Sequence, residues 1–165
     1  MDDLASAHDH RFDIVTSRVL NASPAAVFAA FADPRVLSSW WGPKGFRDTI
    51  HAFDFRVGGI WRHTLHNPDG REHENEARFT VIEPDARVEY DHNSGKHFTL
   101  SFRPAPGGKT LFSLGMTFES AEAQRAAREL VSRSNDENID RLAAVLRPPS
   151  LFVPSDASDE RTSVE

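Results

Sequence analysis

Histidine has the widest chemical range of the residue types in this chain, and eight histidines stand among its 165 residues. His63 and His66 have the spacing of a metal-ligand pair. Residues three apart on a strand point to opposite faces, so this pair is not expected to chelate an ion. His51 and His63 are predicted to share an inner face, but no inner Asp, Glu or Cys completes a site of three or four ligands. The sequence therefore predicts no metal site and no cofactor.

His63 is the polar residue of greatest interest, because it alternates with apolar residues on the predicted inner face of its strand. A neutral imidazole in an aromatic pocket could exchange one hydrogen bond with a ligand, or act as a general acid or base. The alternative is a core histidine whose nitrogens are satisfied by a neighbouring group or by water. The sequence leaves both interpretations open.

Other combinations of reactive residue types do not form a catalytic arrangement. Alternation along a strand separates His73 from Glu74 and Glu76, and both glutamates are predicted to lie on a solvated outer face. Serine is plentiful but no G-x-S-x-G sequence occurs, and the chain has no cysteine. Asp54 and Arg56 are assigned to fold stabilisation, through a charged pair with a neighbouring strand or an N-terminal helix. No catalytic residue is predicted.

The glycine pair Gly58-Gly59 lacks the further glycines and the helix start of a phosphate-binding loop. We expect a glycine bulge at this pair. A one-residue offset would bring Phe55 opposite Trp61 or His63 and unite the apolar faces of the two strands.

Alternation and cap signals define the N-terminal elements that precede these residues. Residues 12–20 alternate and predict a first strand. Ser23-Pro24 and Asp33-Pro34 predict two short helices, the second of which ends at Gly42-Pro43. Two short helices are therefore expected directly after the first strand.

The period changes to two at residue 46, and turn sequences divide residues 46–119 into six strands in meander order. The strand at 71–83 has an ambiguous phase, because Phe79 and Val81 compete with Ile82 for the inner face. With the first strand, the sequence predicts a seven-stranded antiparallel sheet.

A long helix at 121–146, capped by Ser120, is predicted to close the protein. The polar stretch SRSNDEN interrupts its apolar stripe, and such a stretch must face solvent, kink the helix or line a wet cavity. The predicted stripe comprises Ala123, Ala127, Leu130, Val131, Ile139, Leu142, Ala143 and Leu146.

A curved sheet gripped by one helix would enclose a pocket, and the inner face carries more aromatic surface than a small core needs. Trp40 and Trp41 are adjacent on a helix, so only one is expected to point fully inward. The predicted ligand-binding residues are Trp40, Trp41, Phe53, Phe55, Trp61, His63, Phe79, Tyr90, Phe98, Leu114, Met116, Leu130 and Asn135.

Composition excludes several classes of partner. The net charge is −6 with both signs mixed, so no basic stripe is available for nucleic acid. No apolar run approaches the ~20 residues that span a bilayer, and the first ten residues lack the pattern of a secretory signal. We expect a cytoplasmic protein without membrane insertion, with one domain at 11–147 between a flexible N-terminus (1–10) and a disordered tail (148–165).

Four segments carry a resemblance to a known family: SPAAVFAAFADPRVLSSWWGP (23–43), FDFRVGGIW (53–61), IEPDARVEY (82–90) and IDRLAAVL (139–146). They resemble the START-like, or SRPBCC, helix-grip superfamily, in the branch named after the C-terminal domain of the heat-shock-protein-90 ATPase activator. The resemblance implies an α+β fold, in which a curved seven-stranded antiparallel sheet, two short helices after strand 1 and a long C-terminal helix enclose a hydrophobic-ligand pocket.

This chain departs from the family pattern at Ser134-Asn135, where the resemblance implies Gly-Trp. Loss of a tryptophan from this helix would enlarge the pocket or make it more polar. A ligand shared with the relatives is therefore not expected for this chain.

Three functions are compatible with the sequence. The first is binding of a small hydrophobic or aromatic ligand between sheet and C-terminal helix, with His63 and Tyr90 supplying polar selectivity. The second is a cyclase or dehydratase that uses His63 as general acid or base. The third is an interaction module with a chaperone as partner, which the resemblance alone suggests. Because no nucleophile or base has an evident partner, the sequence favours binding over catalysis.

Overall fold

The computed structural model describes residues 9–147, which form one seven-stranded antiparallel sheet and three helices. The first strand pairs with the last, and the others follow in chain order, so the sheet reads β1-β7-β6-β5-β4-β3-β2. This architecture confirms the predicted fold class. The elements are β1 (Asp13–Leu20), α1 (Pro24–Ala32), α2 (Pro34–Trp40), β2 (Arg47–Phe53), β3 (Ile60–His66), β4 (Glu72–Glu83), β5 (Arg87–His92), β6 (His97–Ala105), β7 (Lys109–Thr117) and α3 (Ala121–Val145).

Two sequence predictions fall mainly or wholly beyond this range. Of the flexible N-terminus predicted at 1–10, only residues 9 and 10 are described, and the tail predicted at 148–165 lies outside the described residues.

The helices begin where the cap residues predict. The Ser23 hydroxyl accepts a hydrogen bond from the amide of Ala26 at 3.2 Å, and the Ser120 hydroxyl accepts one from the amide of Ala123 at 3.1 Å. Asp33 caps α2 in the same way. Each cap satisfies an amide that has no partner inside the helix, so short polar side chains set the start of all three helices.

The glycine bulge predicted at Gly58-Gly59 is wrong. Both glycines lie in the loop between β2 and β3, where Gly58 has a φ of +84° and a Cβ on Gly59 would lie 2.0 Å from the carbonyl oxygen of Asp54. The pairing of β2 with β3 instead shifts between Ile50 and Ala52. The extra residue therefore stands inside β2 rather than at the turn.

This bulge inverts the phase of the first half of β2. Phe53, rather than Phe55, lies opposite Trp61. His51, which was predicted to share the inner face with His63, is exposed, and Asp48 takes an inner position and is buried.

A second bulge resolves the ambiguous phase of β4. The pairing with β5 shifts between Phe79 and Val81, so that Phe79 lies opposite Tyr90 and Ile82 lies opposite Val88. Phe79 is buried, and Ile82 packs against the same core. Both apolar residues reach the interior although they are three positions apart, a spacing that would put them on opposite faces of a regular strand.

Asp54 and Arg56 pair with each other, so the prediction that they pair with a neighbouring strand or an N-terminal helix is wrong. Nε of Arg56 donates to the carboxylate of Asp54 itself, at 2.7 Å. Both side chains are more than half exposed, and exposed pairs of this kind stabilise a fold by at most about 1 kcal/mol.

An aromatic cluster fills the interior beneath α1 and α2. Phe31 of α1 is fully buried and lies edge-on to rings from the loop after α2 and from β2, β3 and β4. Edge-to-face contacts are favourable for aromatic rings beyond the area they bury. We define the aromatic cluster as Phe28, Phe31, Phe53, Phe55, Trp61 and Phe79.

Candidate functional site

The other half of the interior is open. A cavity of about 420 Å³ lies between the inner face of the sheet and α3. Phe98, Leu114 and Met116 form its apolar floor on β6 and β7. The remaining lining residues come from α3, from β3 to β5, and from the segments that follow α2, β5 and β7: Trp41, Gly42, Pro43, His63, Leu65, Asn75, Tyr90, His92, Ser94, Lys96, Phe118, Ala127, Val131, Ser134, Asn135 and Asn138.

The α3 helix leaves this space because its inward side chains are short. Ala127 and Ser134 reach only a little way towards the sheet, and Asn135 and Asn138 are buried beside them. The helix is continuous from Ala121 to Val145. The polar stretch SRSNDEN therefore contributes to the cavity wall through its Ser134 and its two asparagines. Of the three arrangements predicted for this stretch, it is the lining of a cavity that the structure shows.

His63 lines the cavity, and its ring is hydrogen-bonded to a buried carboxylate. Its Nδ1–H donates to Oδ1 of Asp48 at 2.6 Å, and the Asp48 side chain is fully buried. The His63 ring stacks on Trp61 with 4.2 Å between ring centroids. A carboxylate can only accept a hydrogen bond, so it places the proton on Nδ1 and leaves Nε2 as the other polar atom of the ring.

His92 is held neutral in the same polar corner. Its Nδ1 accepts from the backbone amide of Ser94 at 3.0 Å, and its Nε2 lies 2.7 Å from Oδ1 of Asn75. Burial is the main cause that lowers the pKa of His92 from 6.5 to about 4, and the nearby charge of Lys96 also contributes. At neutral pH this ring brings no charge into the cavity.

Tyr90 contributes a phenol that stays protonated. Burial, together with the nearby Asp48 carboxylate, raises the pKa of Tyr90 well above its usual value. A protonated phenol in a cavity wall can donate one hydrogen bond to a bound molecule.

Side chains of α3 hold one edge of the cavity in place. Nη1 of Arg141 donates to the carbonyl oxygens of Trp41 at 3.2 Å, Gly42 at 2.9 Å and Pro43 at 3.2 Å. The amide of Gly42 in turn donates to Oδ1 of Asn138 at 3.2 Å. These bonds fix the segment that presents Trp41 to the cavity.

Seven of the thirteen predicted ligand-binding residues line this cavity, and five lie in other packed regions. Leu130 does neither, because it is 60% exposed on the outer side of α3, so its predicted place on the inner stripe is wrong. Those that line the cavity are Trp41, His63, Tyr90, Phe98, Leu114, Met116 and Asn135. Phe53, Phe55, Trp61 and Phe79 belong to the aromatic cluster, and Trp40 packs behind it.

The prediction that only one of Trp40 and Trp41 points inward is also wrong. Helix α2 ends at Trp40, and Trp41 follows with an extended backbone. This change of backbone direction lets both rings be buried. The indole N–H of Trp40 donates to the carbonyl oxygen of Ala30 at 3.0 Å.

No group of three or more His, Asp or Glu side chains within residues 9–147 is arranged to hold a metal ion. His66 turns away from His63 and contacts Thr49 and Glu72. In the same part of the chain, none of the three helices is long and apolar enough to cross a membrane.

Residues 21–147 match the family model described as activator of Hsp90 ATPase homolog 1-like protein. The chain belongs to this family. Membership in the activator-homolog family places it in the SRPBCC helix-grip superfamily. The comparison with curated proteins gives no match.

Solved structures with the fold of the activator-homolog family superpose closely on this chain. A protein from Chromobacterium violaceum is 27% identical, with a TM-score of 0.72 over 82% of this chain and 98% of its own. A protein from Arthrobacter aurescens is 26% identical, with a TM-score of 0.74 over 89% and 92% of the two chains. An activator-homolog-like protein from Aeromonas hydrophila shares the fold at 21% identity, with a TM-score of 0.68 over 80% and 92%.

Sequence reasoning missed most of the polar residues around the cavity. Asp48 was missed because the bulge in β2 inverts its phase, although apolar Ile50, out of phase with Phe53, was a usable signal. His92 and Asn138 gave no local signal, since each looks like an ordinary surface residue in its element.

Proposed function

We propose that this protein binds a small, mainly apolar molecule in the cavity between the sheet and α3. The observation that carries the proposal is a difference in packing between two parts of the same interior. The aromatic cluster is packed ring against ring, whereas the adjoining space of about 420 Å³ is left unfilled by the same sheet and helices. The volume lies within the range of small-molecule sites, and the lining is mostly apolar.

The walls indicate the character of the ligand. Trp41, Phe98, Leu114, Met116 and Phe118 give an apolar lining, and burying apolar ligand surface against them contributes about 25 cal/mol per Å². Polar groups gather in one corner, so they would orient the ligand while the apolar walls provide most of the affinity.

Titration with anilinonaphthalene sulfonate, a fluorescent apolar probe, tests this proposal. Ser134 lines the cavity and Arg133 is exposed one residue earlier on α3. Ser134→Phe is expected to fill the cavity and weaken probe binding at least tenfold, since it occupies the volume that the probe needs. The matched variant Arg133→Phe adds the same ring outside the cavity and is expected to leave affinity within about twofold.

Calorimetry and circular dichroism on the three proteins complete the experiment. Equal probe affinity in Ser134→Phe and Arg133→Phe would overturn the proposal, because binding would then take place elsewhere. The same conclusion follows if the unsubstituted protein binds no probe.

A further inference from the structure

We propose that the ligand carries a weakly acidic hydroxyl group, a phenol or an enol, and that His63 accepts the proton of this hydroxyl inside the cavity. The inference rests on the proposed function and adds the chemical class of the ligand. It follows from the pairing of His63 with the buried Asp48, a carboxylate that the binding of a purely apolar molecule would not require.

The geometry leaves one atom of His63 for a ligand. Nδ1 is engaged by Asp48 at 2.6 Å, and stacking on Trp61 at 4.2 Å fixes the plane of the ring. Within residues 9–147 no hydrogen bond engages Nε2, although the ring lines the cavity. Nε2 therefore presents a lone pair to the ligand space, which matches a hydroxyl donor.

The buried carboxylate of Asp48 is the second observation behind the inference. The carboxylate is fully buried, and within the described part of the chain its Oδ2 has no hydrogen-bond partner. Burying a carboxylate costs free energy unless a positive charge lies close by. A positive charge formed on the His63 ring by a proton from the ligand would lie beside this carboxylate, since Nδ1 is 2.6 Å from Oδ1.

The proton transfer is balanced within the site. The O–H bond of the ligand breaks, an N–H bond forms at Nε2, and the electron pair of the broken bond stays on the ligand oxygen. The site then holds the Asp48 carboxylate, the His63 imidazolium and the ligand oxyanion in a row of alternating charge. No oxidant, reductant or further reactant is needed.

Other ionisable groups near the pair are compatible with this charge arrangement. On β5, His92 is neutral at pH 7 and Tyr90 stays protonated. On α3, Arg141 interacts with the Asp48 carboxylate, which opposes the lowering of its pKa by burial. Lys96 lines the cavity as a second cation. None of these groups brings a competing negative charge to the ligand oxyanion.

The class of hydroxyl group follows from two quantities, the free-energy cost of desolvating a charge and the acidity of the hydroxyl. A carboxylic acid would enter an apolar cavity already ionised and would pay for desolvation of its charge. An aliphatic alcohol is too weak an acid to give its proton to an imidazole. A phenol or an enol enters uncharged and ionises beside His63, where the positive charge formed on the ring offsets the cost of the buried oxyanion.

Para-nitrophenol tests the inference, because its neutral and ionised forms absorb at different wavelengths. An apolar cavity alone would raise the pKa of the bound probe, whereas transfer to His63 would lower it. We expect the pKa of the bound probe to lie about one unit below its value in water. His63→Gln and Asp48→Asn are expected to reverse the sign of this shift, and His51→Gln, which changes an exposed imidazole, is expected to preserve it.

Quenching of tryptophan emission by the bound nitrophenol measures occupancy separately from ionisation. If the probe binds in its neutral form and His63→Gln changes nothing, the inference is overturned while the proposed function stands. If neither nitrophenol nor anilinonaphthalene sulfonate binds, the proposed function itself fails. Should Asp48→Asn not fold, as circular dichroism would show, the sign of the shift in His63→Gln decides.

Discussion

Two inward residues of β3, Trp61 and His63, stand in regions of opposite character although their rings are stacked. Trp61 is enclosed by the aromatic cluster, and His63 borders the cavity. Strand alternation directs both side chains inward. The difference between a packed and an open interior must therefore come from the elements that cover the sheet.

The covering helices differ in the size of what they contribute. Phe28 and Phe31 of α1 fill the space above one half of the sheet, whereas α3 places Ala127, Ser134 and Asn135 above the other half. Side-chain volume on the helices decides where this fold is solid and where it is hollow.

The largest expected effect lies in the packed half. Phe31→Ala removes a fully buried ring with at least five aromatic neighbours, and we expect a loss of about 3–5 kcal/mol in the free energy of unfolding. Urea denaturation followed by circular dichroism measures it.

Met116→Ala is the matched truncation in the open half, where the side chain is only partly buried and borders the cavity. We expect it to cost clearly less than Phe31→Ala. Equal losses from the two variants would show that the two halves are not packed differently.

The next effect concerns the edge of the cavity. Arg141→Ala leaves four backbone carbonyls without their donor, those of Trp41, Gly42, Pro43 and Ser39. Loss of hydrogen bonds from a charged donor is expected to lower stability by about 2 kcal/mol and to weaken probe binding, since Trp41 is no longer held. Arg128→Ala, at an exposed position of the same helix, controls for helix propensity and should change neither quantity.

Acid pH is expected to lower the free energy of unfolding through His92, which lies in the polar corner of the cavity. The pKa of His92 is about 4 in the folded protein against 6.5 ordinarily, so the unfolded chain binds the extra proton first as pH falls. Its contribution to stability is complete above pH 6.5 and is lost as pH falls towards about 4. His92 is only half-buried, so water screens part of the effect, and we expect a smaller loss than for Arg141→Ala.

Chemical denaturation at a series of pH values isolates this contribution. His92→Gln should flatten the stability profile between pH 6.5 and about 4, whereas His73→Gln, at an exposed position on β4, should leave it unchanged. Parallel profiles for His92→Gln and the unsubstituted protein would contradict the assignment.

The smallest expected effect is at Leu130. Because this side chain is 60% exposed, Leu130→Ala is expected to change stability by no more than about 0.5 kcal/mol and to leave probe affinity unaltered. A large loss of affinity would place Leu130 at the ligand after all and would contradict the geometry.

The fold was predictable because local signals agreed with one another. Ser23, Asp33 and Ser120 cap the helices that they predict, and the turn sequences separate the strands that form. These signals act within a few residues of chain, so they survive in the sequence without knowledge of tertiary contacts.

The site was only partly predictable, because the bulges and the boundary between filled and open space depend on distant partners. Alternation alone placed His51 inside and gave no reason to choose Asp48, and only the pairing with β3 reveals the extra residue. Phe53 and Phe98 both face inward, yet only the position of α1 shows that one meets another ring and the other meets a cavity.

The pairing of the first strand with the last also governs how the chain reaches this structure. Asp13 and Thr117 are hydrogen-bonded across 104 positions of sequence, so β1 has no sheet neighbour until β7 has been synthesised. Such non-local pairing slows folding. During synthesis β1 therefore stays unpaired until β7 is available, and the floor of the cavity on β6 and β7 is completed only when translation is nearly over.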